Sequence, residues 1–252
     1  MGINLGSTAP TPSTPLGAAT ANQMVGGGAP AAAPAAAPVT PPPAPVEAVP
    51  TTPPAGAEAV ALPGGGVTLN LQKNTFLDLT KRNPGLSKVK LGAGWDIAQG
   101  GADFDLDISA FLLNANGKIS SGADVVFFNN MNVPGVRLNG DNRTGAGEGD
   151  DETIDIDLAA IAPTVQKVVF CVTIADAAAR MQTFGMVQNS YVRLMDAAQG
   201  DKEICRFVLK DDYATATAMI FAELERNGNE WNFKTIGEGK QGDLNTIATM
   251  YS

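Results

Sequence analysis

The sequence predicts an all-β protein: an antiparallel β-sandwich with one or two short helices, preceded by a disordered Pro/Ala-rich tail. Three observations carry this. Roughly ten runs alternate apolar with polar residues or are rich in β-branched and aromatic ones. Turn-forming stretches such as "RNPG", "NANGK" and "RNGNE" separate several of them. Helical periodicity is confined to "ADAAARMQTFG" and "DLNTIATMY", each too short to define an architecture.

In chain order, residues 1–63 come first as a tail. They hold 14 of the 17 prolines, no Lys or Arg, and only Glu47 and Glu58 as acids. Such Ala, Pro, Gly and Thr content buries too little apolar surface to offset the entropy of ordering. The run "APAAAPAAAPVTPPPAP" favours extended polyproline conformations, so the segment is expected to be a semi-rigid tether of up to about 200 Å. Residues 64–252 then make one folded domain, long enough for a full core. Its strands are expected at "GVTLNL", "KVKLGAGW", "DFDLDISAFLL", "DVVFF", "ETIDIDL", "KVVFCVTI", "SYVRLMD", "EICRFVLK", "TATAMIFAEL" and "EWNFKTIGEG". Two of these, "VVFCVTI" and "EICRFVL", contain Cys171 and Cys205, which read as small buried hydrophobes. A disulfide between them stays open, although two cysteines in a domain of this size favour a reducing cytoplasm.

Composition excludes several functions. The chain carries 26 Asp and Glu against 17 Lys and Arg, a formal charge of −9 that is the wrong sign for phosphate backbones, so no nucleic-acid partner is expected. No apolar run reaches membrane-spanning length, and the N-terminus lacks a basic start and apolar core. "MGINLGS" places Gly6 where the myristoylation pattern wants Ser or Thr. With no His, the common Ser-His and Cys-His nucleophilic arrangements are excluded, and the chain is read as a non-enzyme.

The acids cluster in two places. A strand through "DFDLD" would put Asp103, Asp105 and Asp107 on one face and Phe104, Leu106 and Ile108 on the other. The stretch "NGDNRTGAGEGDDETIDID", residues 139–157, collects seven acids and four glycines around one arginine. Two carboxylates about 5 Å apart repel by about 3 kcal/mol at an effective dielectric near 20, so a converging set calls for a cation or protons. Carboxylates, amides and glycine-freed carbonyls suit the flexible oxygen shell of Ca2+; Mg2+ stays open, and zinc and copper do not fit a chain without His. The competing reading is a solvated loop beside the wet face of a sheet. Asp141 to Glu152 spans twelve positions, yet Arg143, Gly145 and Ala146 break the EF-hand pattern and no flanking helices are expected.

"GVTLNLQKN", "NPGLSKVKLGAGWD", "DFDLDISAFLLNANGKI", "GDNRTGAGEGDDETIDIDL", "KVVFCVTI", "RMQTFGMVQNSYVRL" and "YATATAMIFAELERNGNEWNFKTIGEG" follow one another in the order and spacing of the TerD family of tellurite-resistance and general stress proteins, which the chain resembles over about residues 64–245. The resemblance implies a β-sandwich that binds calcium at an acidic end and acts in bacterial stress resistance. It implies a metal-responsive interaction module in the cytoplasm, peripheral to the inner membrane, with other stress-response proteins or a membrane-associated complex as partners, reached through the tail. The positions matching the family's acidic motifs are Asp96, Asp103, Asp105, Asp107, Asp141, Asn142, Glu148, Asp150, Asp151 and Glu152, with carbonyls near Gly147 contributing. Asp155 and Asp157 match less well, and Asp157 is expected to cap backbone amides. The alternative function is a structural or surface-display component in which calcium is a fixed staple. The long leader is unusual for the simple stress-protein form.

Overall fold

Alternation along the strands decides which side chains meet. In the computed structural model, which describes residues 50, 52–62, 66–97, 104–140, 149–209 and 213–252, it stacks two sheets over one core. The strands are β1 (Ala57–Ala61), β2 (Val67–Leu71), β3 (Phe76–Leu77), β4 (Lys88–Ile97), β5 (Leu106–Leu113), β6 (Val125–Val126), β7 (Asn132–Val133), β8 (Val136–Asn139), β9 (Glu152–Asp157), β10 (Lys167–Ile174), β11 (Val187–Asp196), β12 (Lys202–Val208), β13 (Ala218–Asn227) and β14 (Glu230–Lys240). The helices are α1 (Leu79–Arg82), α2 (Ala177–Arg180) and α3 (Leu244–Met250). One sheet runs β1-β2-β12-β11-β4-β9-β8-β7, the other β3-β14-β13-β10-β5-β6. The all-β expectation holds. Pairing is antiparallel except between β12 and β2.

The inner faces alternate as the sequence requires. Val89, Leu91, Ala93 and Trp95 of β4 and Ile154 and Ile156 of β9 meet Ile108 and Ala110 of β5 and Val168, Phe170 and Val172 of β10. The outer face of the second sheet is also dry: Phe111, Val169, Cys171 and Ile220 pack under Ile247 and Ala248 of α3. That explains why "KVVFCVTI" is apolar throughout, since a strand covered on both faces has no wet side. Asp243 starts α3 by accepting the Thr246 N–H at 2.9 Å, while Thr246 Oγ1 accepts the Asp243 N–H. Cys171 lies under α3, whereas Cys205 lies in the inter-sheet core. Both are free and buried, and burial pushes both thiols up, so the disulfide left open by the sequence does not form.

Three features differ from the sequence reading. β5 begins at Leu106, because its ladder with β10 begins at the Leu106–Ile174 pair and beyond it the Ala175 N–H bonds the Asp105 carbonyl. Of the three carboxylates expected on one strand face, only Asp107 is within the strand; Asp105 precedes it, and Asp103 lies outside the described residues. Secondly, β1 pairs with β2 from Ala57↔Leu71 to Ala61↔Val67, so sheet structure begins upstream of residue 64. The chain before it is strapped down: Arg82 donates to the carbonyls of Pro50 and Thr52, and Thr75 Oγ1 and the Gln72 N–H donate to the Gly56 carbonyl. Thirdly, α1 was not expected; its Thr80 hydroxyl accepts the Trp231 N–H at 2.9 Å and ties it to the start of β14.

Candidate functional site

The site is the end of the sandwich where β4 finishes and β5 and β9 start. On β9, Glu152, Ile154 and Ile156 face inward and Thr153, Asp155 and Asp157 outward. Glu152 is only 2% exposed, and its Oε2 accepts the Ile108 N–H at 2.7 Å, so it reaches from the first sheet to an amide of the second. Asp151 continues the β9 edge after the ladder stops at Ala93↔Glu152. Its N–H bonds the Ala93 carbonyl at 2.8 Å, and its Oδ2 accepts the Trp95 N–H at 2.9 Å. Burial pushes the Asp151 carboxyl up, the Trp95 N–H draws it part of the way back, and the charges of Asp150 and Asp96 add to the rise.

Asp96, exposed at the end of β4, accepts the Asn189 side-chain amide at 2.7 Å. Asp105 is buried at 6% exposure, and half-buried Asp107 sits opposite Thr173 of β10. The fold therefore brings Asp96, Asp150, Asp151 and Glu152 of the first sheet and Asp105 and Asp107 of the second to one end, where the Glu152–Ile108 bond joins the two sheets. Among the described residues, no group of three or more acids stands in a metal-holding arrangement. Asp103, Asp141, Asn142, Gly147 and Glu148 lie outside the described residues. Asp155 and Asp157 have other partners: Arg137 holds Asp155 at 3.1 Å, and Asp157 Oδ1 accepts the Ala159 and Ala160 amides at 3.1 and 3.2 Å. Asp157 thus caps backbone, as expected.

Tyr191, Arg193, Glu203 and Arg206 escaped the sequence reading. Tyr191 and Arg193 of β11 stand directly across from Gly94 and Gly92 of β4. A Cβ at Gly92 would overlap the Asp150 carboxylate, and one at Gly94 would come within 2.6 Å of the Tyr191 ring and hydroxyl. The two glycines of "LGAGW" are therefore a bare floor on which Asp150 and Tyr191 lie. Arg193 Nε donates to Asp150 Oδ1 at 2.8 Å and Nη1 to Glu203 Oε2 at 3.3 Å. Arg206 binds both oxygens of Glu203 and stacks 4.2 Å above the Tyr191 ring. Tyr191 closes the ring, its hydroxyl lying 2.9 Å from the Gly149 carbonyl and 3.1 Å from Asp150 Oδ1, donating to one at a time.

Why Glu203 is there follows from a bulge. The β11–β12 register shifts between Leu194 and Met195, where Leu194 pairs Cys205 but Met195 pairs Glu203. The extra residue puts Glu203 on the same face as Arg206, where strict alternation would have turned it with Cys205 into the core. Arg193 and Arg206 are direct cross-strand neighbours, a repulsive pair that Glu203 neutralises. Burial alone would push Glu203 up, but bonds from Arg206, Thr68 and Arg193 more than offset it and hold the carboxyl below its ordinary value. A folded-state pKa below the unfolded one means stabilisation that is complete above the ordinary carboxylate range and is lost as pH falls through the folded value. The melting-temperature gap between the protein and Glu203→Gln is therefore expected to be widest near neutral pH and to close in acid; a gap independent of pH would show that the charge of Glu203 does not matter.

Two sheets stacked on one core, with carboxylates gathered at one end and a charge ring on the first sheet's outer face, define an acidic-ended β-sandwich domain. The TerD domain model matches residues 67–251. The chain is 47% identical to general stress protein 16U of Bacillus subtilis (strain 168) over 189 residues, covering 73% of this chain and 97% of that protein. It is 42% identical to tellurium resistance protein TerD of Serratia marcescens over 188 residues, with 73% and 97% covered. A solved structure of a homologue of telluride resistance protein (TerD) from Streptomyces coelicolor A3(2) superposes with a TM-score of 0.56 at 26% identity, covering 67% of this chain and 99% of that one. The chain belongs to the TerD family, the family of tellurium-resistance and stress-response proteins.

Proposed function

We propose that this protein is a calcium-binding stress-response protein that works as a non-enzymatic, metal-responsive interaction module. The observation that carries the reading is the gathering of Asp96, buried Asp105, Asp107 and Asp151 at one end of the sandwich, where burial first, and then the charges of Asp150 and Asp96, push the Asp151 carboxyl up against the draw of the Trp95 N–H. The donor set gathered there is all oxygen, which suits a hard divalent cation. Asp96, Asp105, Asp107 and Asp151 are the described residues that would hold it, with Asp103, Asp141, Asn142, Gly147 and Glu148 supplied from segments outside the described residues. Bound there, calcium would supply positive charge to offset the mutual repulsion of these carboxylates. Neither thiol suits redox work, since burial holds both above the usual range. The proposed setting is the cytoplasm or the inner face of the membrane, with other stress-response proteins as partners. No helix among the described residues is long and apolar enough to cross a membrane.

Calorimetry on the full chain tests this. Uptake of calcium at micromolar concentrations is expected, and at about a hundredfold above Kd the ion should add about 2.7 kcal/mol of stability, visible as a rise in melting temperature. Asp151→Asn should weaken uptake. Absence of both heat and melting shift sinks the reading.

A further inference from the structure

The ring on the outer face of the first sheet has charges that cancel: Arg193 and Arg206 are set against Asp150 and Glu203. Asp150 has a side chain 7% exposed, and its Oδ1 faces both Arg193 and Tyr191. Its position is also fixed from below, because the carboxylate rests on the backbone where Gly92 lacks a Cβ. A carboxylate so placed, its charge already matched by a guanidinium, has little left to offer a cation. What it does hold is the backbone. Gly149, at φ +104°, turns the chain into Asp150 and receives the Tyr191 hydroxyl on its carbonyl, and the next residue, Asp151, is the one that closes the β4 edge on Ala93 and Trp95.

We propose that Asp150, gripped by Arg193 and Tyr191, is a latch that fixes the entry to β9, and that Arg193 and Tyr191 are positioning residues for the acidic site, with Asp150 outside the ligand set. Glu203 sets the Arg193 fork, and Thr68 of β2 steadies Glu203 by donating to its Oε1 at 2.9 Å. The latch itself stands on the geometry above; its consequence for ion binding rests on the calcium reading. Partners that orient metal-binding groups without touching the ion commonly change affinity by tenfold or more when removed.

Two measurements on the full-length protein decide it. In ion-free buffer, Arg193→Met should raise amide exchange at Trp95 and Asp151 by about tenfold or more while leaving Leu91, deep in the same strand, unchanged. Wild-type protection at Trp95 and Asp151 in this variant overturns the latch, whatever calcium does. In calcium titrations the sign of the effect discriminates. A latch predicts that Arg193→Met weakens binding about tenfold and that Arg193→Lys does not rescue it, because a single ammonium cannot reproduce the guanidinium fork to Asp150 and Glu203. If Asp150 were instead a ligand, deleting the competing cation would tighten binding, and that result overturns the proposal. Tyr191→Phe, which removes one hydroxyl, serves both measurements with the same expected directions should the methionine variant fold poorly. A wild-type protein that takes up no calcium removes the calcium reading alone, since the exchange experiment still judges the latch.

Discussion

Glu152→Ala is expected to cost about 3 kcal/mol of folding stability, while Glu152→Gln should retain most of it. Glu152 sits at 2% exposure and accepts the Ile108 N–H at 2.7 Å, bridging the two sheets at their acidic end. Two effects oppose each other in the alanine variant. Removing the carboxylate relieves a buried negative charge in an acidic neighbourhood. It also forfeits a bond to a charged acceptor, worth about 1.5–3 kcal/mol, and strands a buried amide at a further cost of about 1–3 kcal/mol. The second effect wins, because Ile108 is fully buried and lies beyond the stretch of β5 that β6 pairs, at Ala110 and Phe111. Glutamine keeps an acceptor oxygen and gives up only the charge. Denaturant midpoints with unchanged slopes for both variants would measure the difference; equal losses would show that the charge, and not the Ile108 bond, is what Glu152 contributes.

Gly92→Ala is expected to destabilise by about 2 kcal/mol even though alanine is ordinarily the better strand residue by about 0.5–1 kcal/mol. The new methyl group would occupy the space of the Asp150 carboxylate, a short side chain pinned by Arg193 at 2.8 Å that cannot swing aside without breaking that bond. The backbone gain is smaller than a charge-assisted hydrogen bond. The loss should vanish in an Asp150→Gly background, where the methyl group has room; a double-mutant cycle reads this directly, and an undiminished loss there would place the strain elsewhere.

Which parts of this molecule were legible in its sequence follows from where alternation is faithful. β10 reads correctly from "KVVFCVTI" because both of its faces are dry, and β9 from "ETIDIDL" because its outward Asp155 and Asp157 alternate with Ile154 and Ile156. The acidic end was legible as a concentration of carboxylates, but not the strand boundary: "DFDLD" alternates like a strand, yet the ladder with β10 ends at Leu106↔Ile174 and Asp105 keeps only a single backbone bond beyond it, from the Ala175 N–H. The ring escaped for a sharper reason. Glu203 reaches the outer face only through a bulge, and Tyr191 follows another irregularity between Gln188 and Tyr191, marked by Asn189 at φ +50°. Alternation counts residues; it does not see an inserted one. One signal was present. Two glycines spaced i, i+2 in "LGAGW", on the outward face of a strand, mark a place where something else lies against the backbone. In the same way, β1 was hidden because "AEAVA" is short, nearly uncharged and embedded in proline. Its strand character depends on β2.

Both outer faces of the sandwich carry ion pairs, and they differ in how exposed those pairs are. On the second sheet's outer face Lys167 and Lys234 flank Glu223 at 3.1 and 3.7 Å beside the apolar cover of Ile247 and Ala248, and Glu223 is only 8% exposed, so dissolved ions screen this cluster weakly. The opposite face carries Lys88 beside Asp157 and Arg137 beside Asp155, all substantially exposed, and such pairs fade once the screening length falls to about 8 Å at physiological ionic strength. Salt therefore acts on both faces, and more strongly where the pairs are exposed. The protein's ionic-strength dependence is expected to come mostly from the β4–β9–β8 surface, with the less exposed Lys167–Glu223–Lys234 cluster the stiffer side.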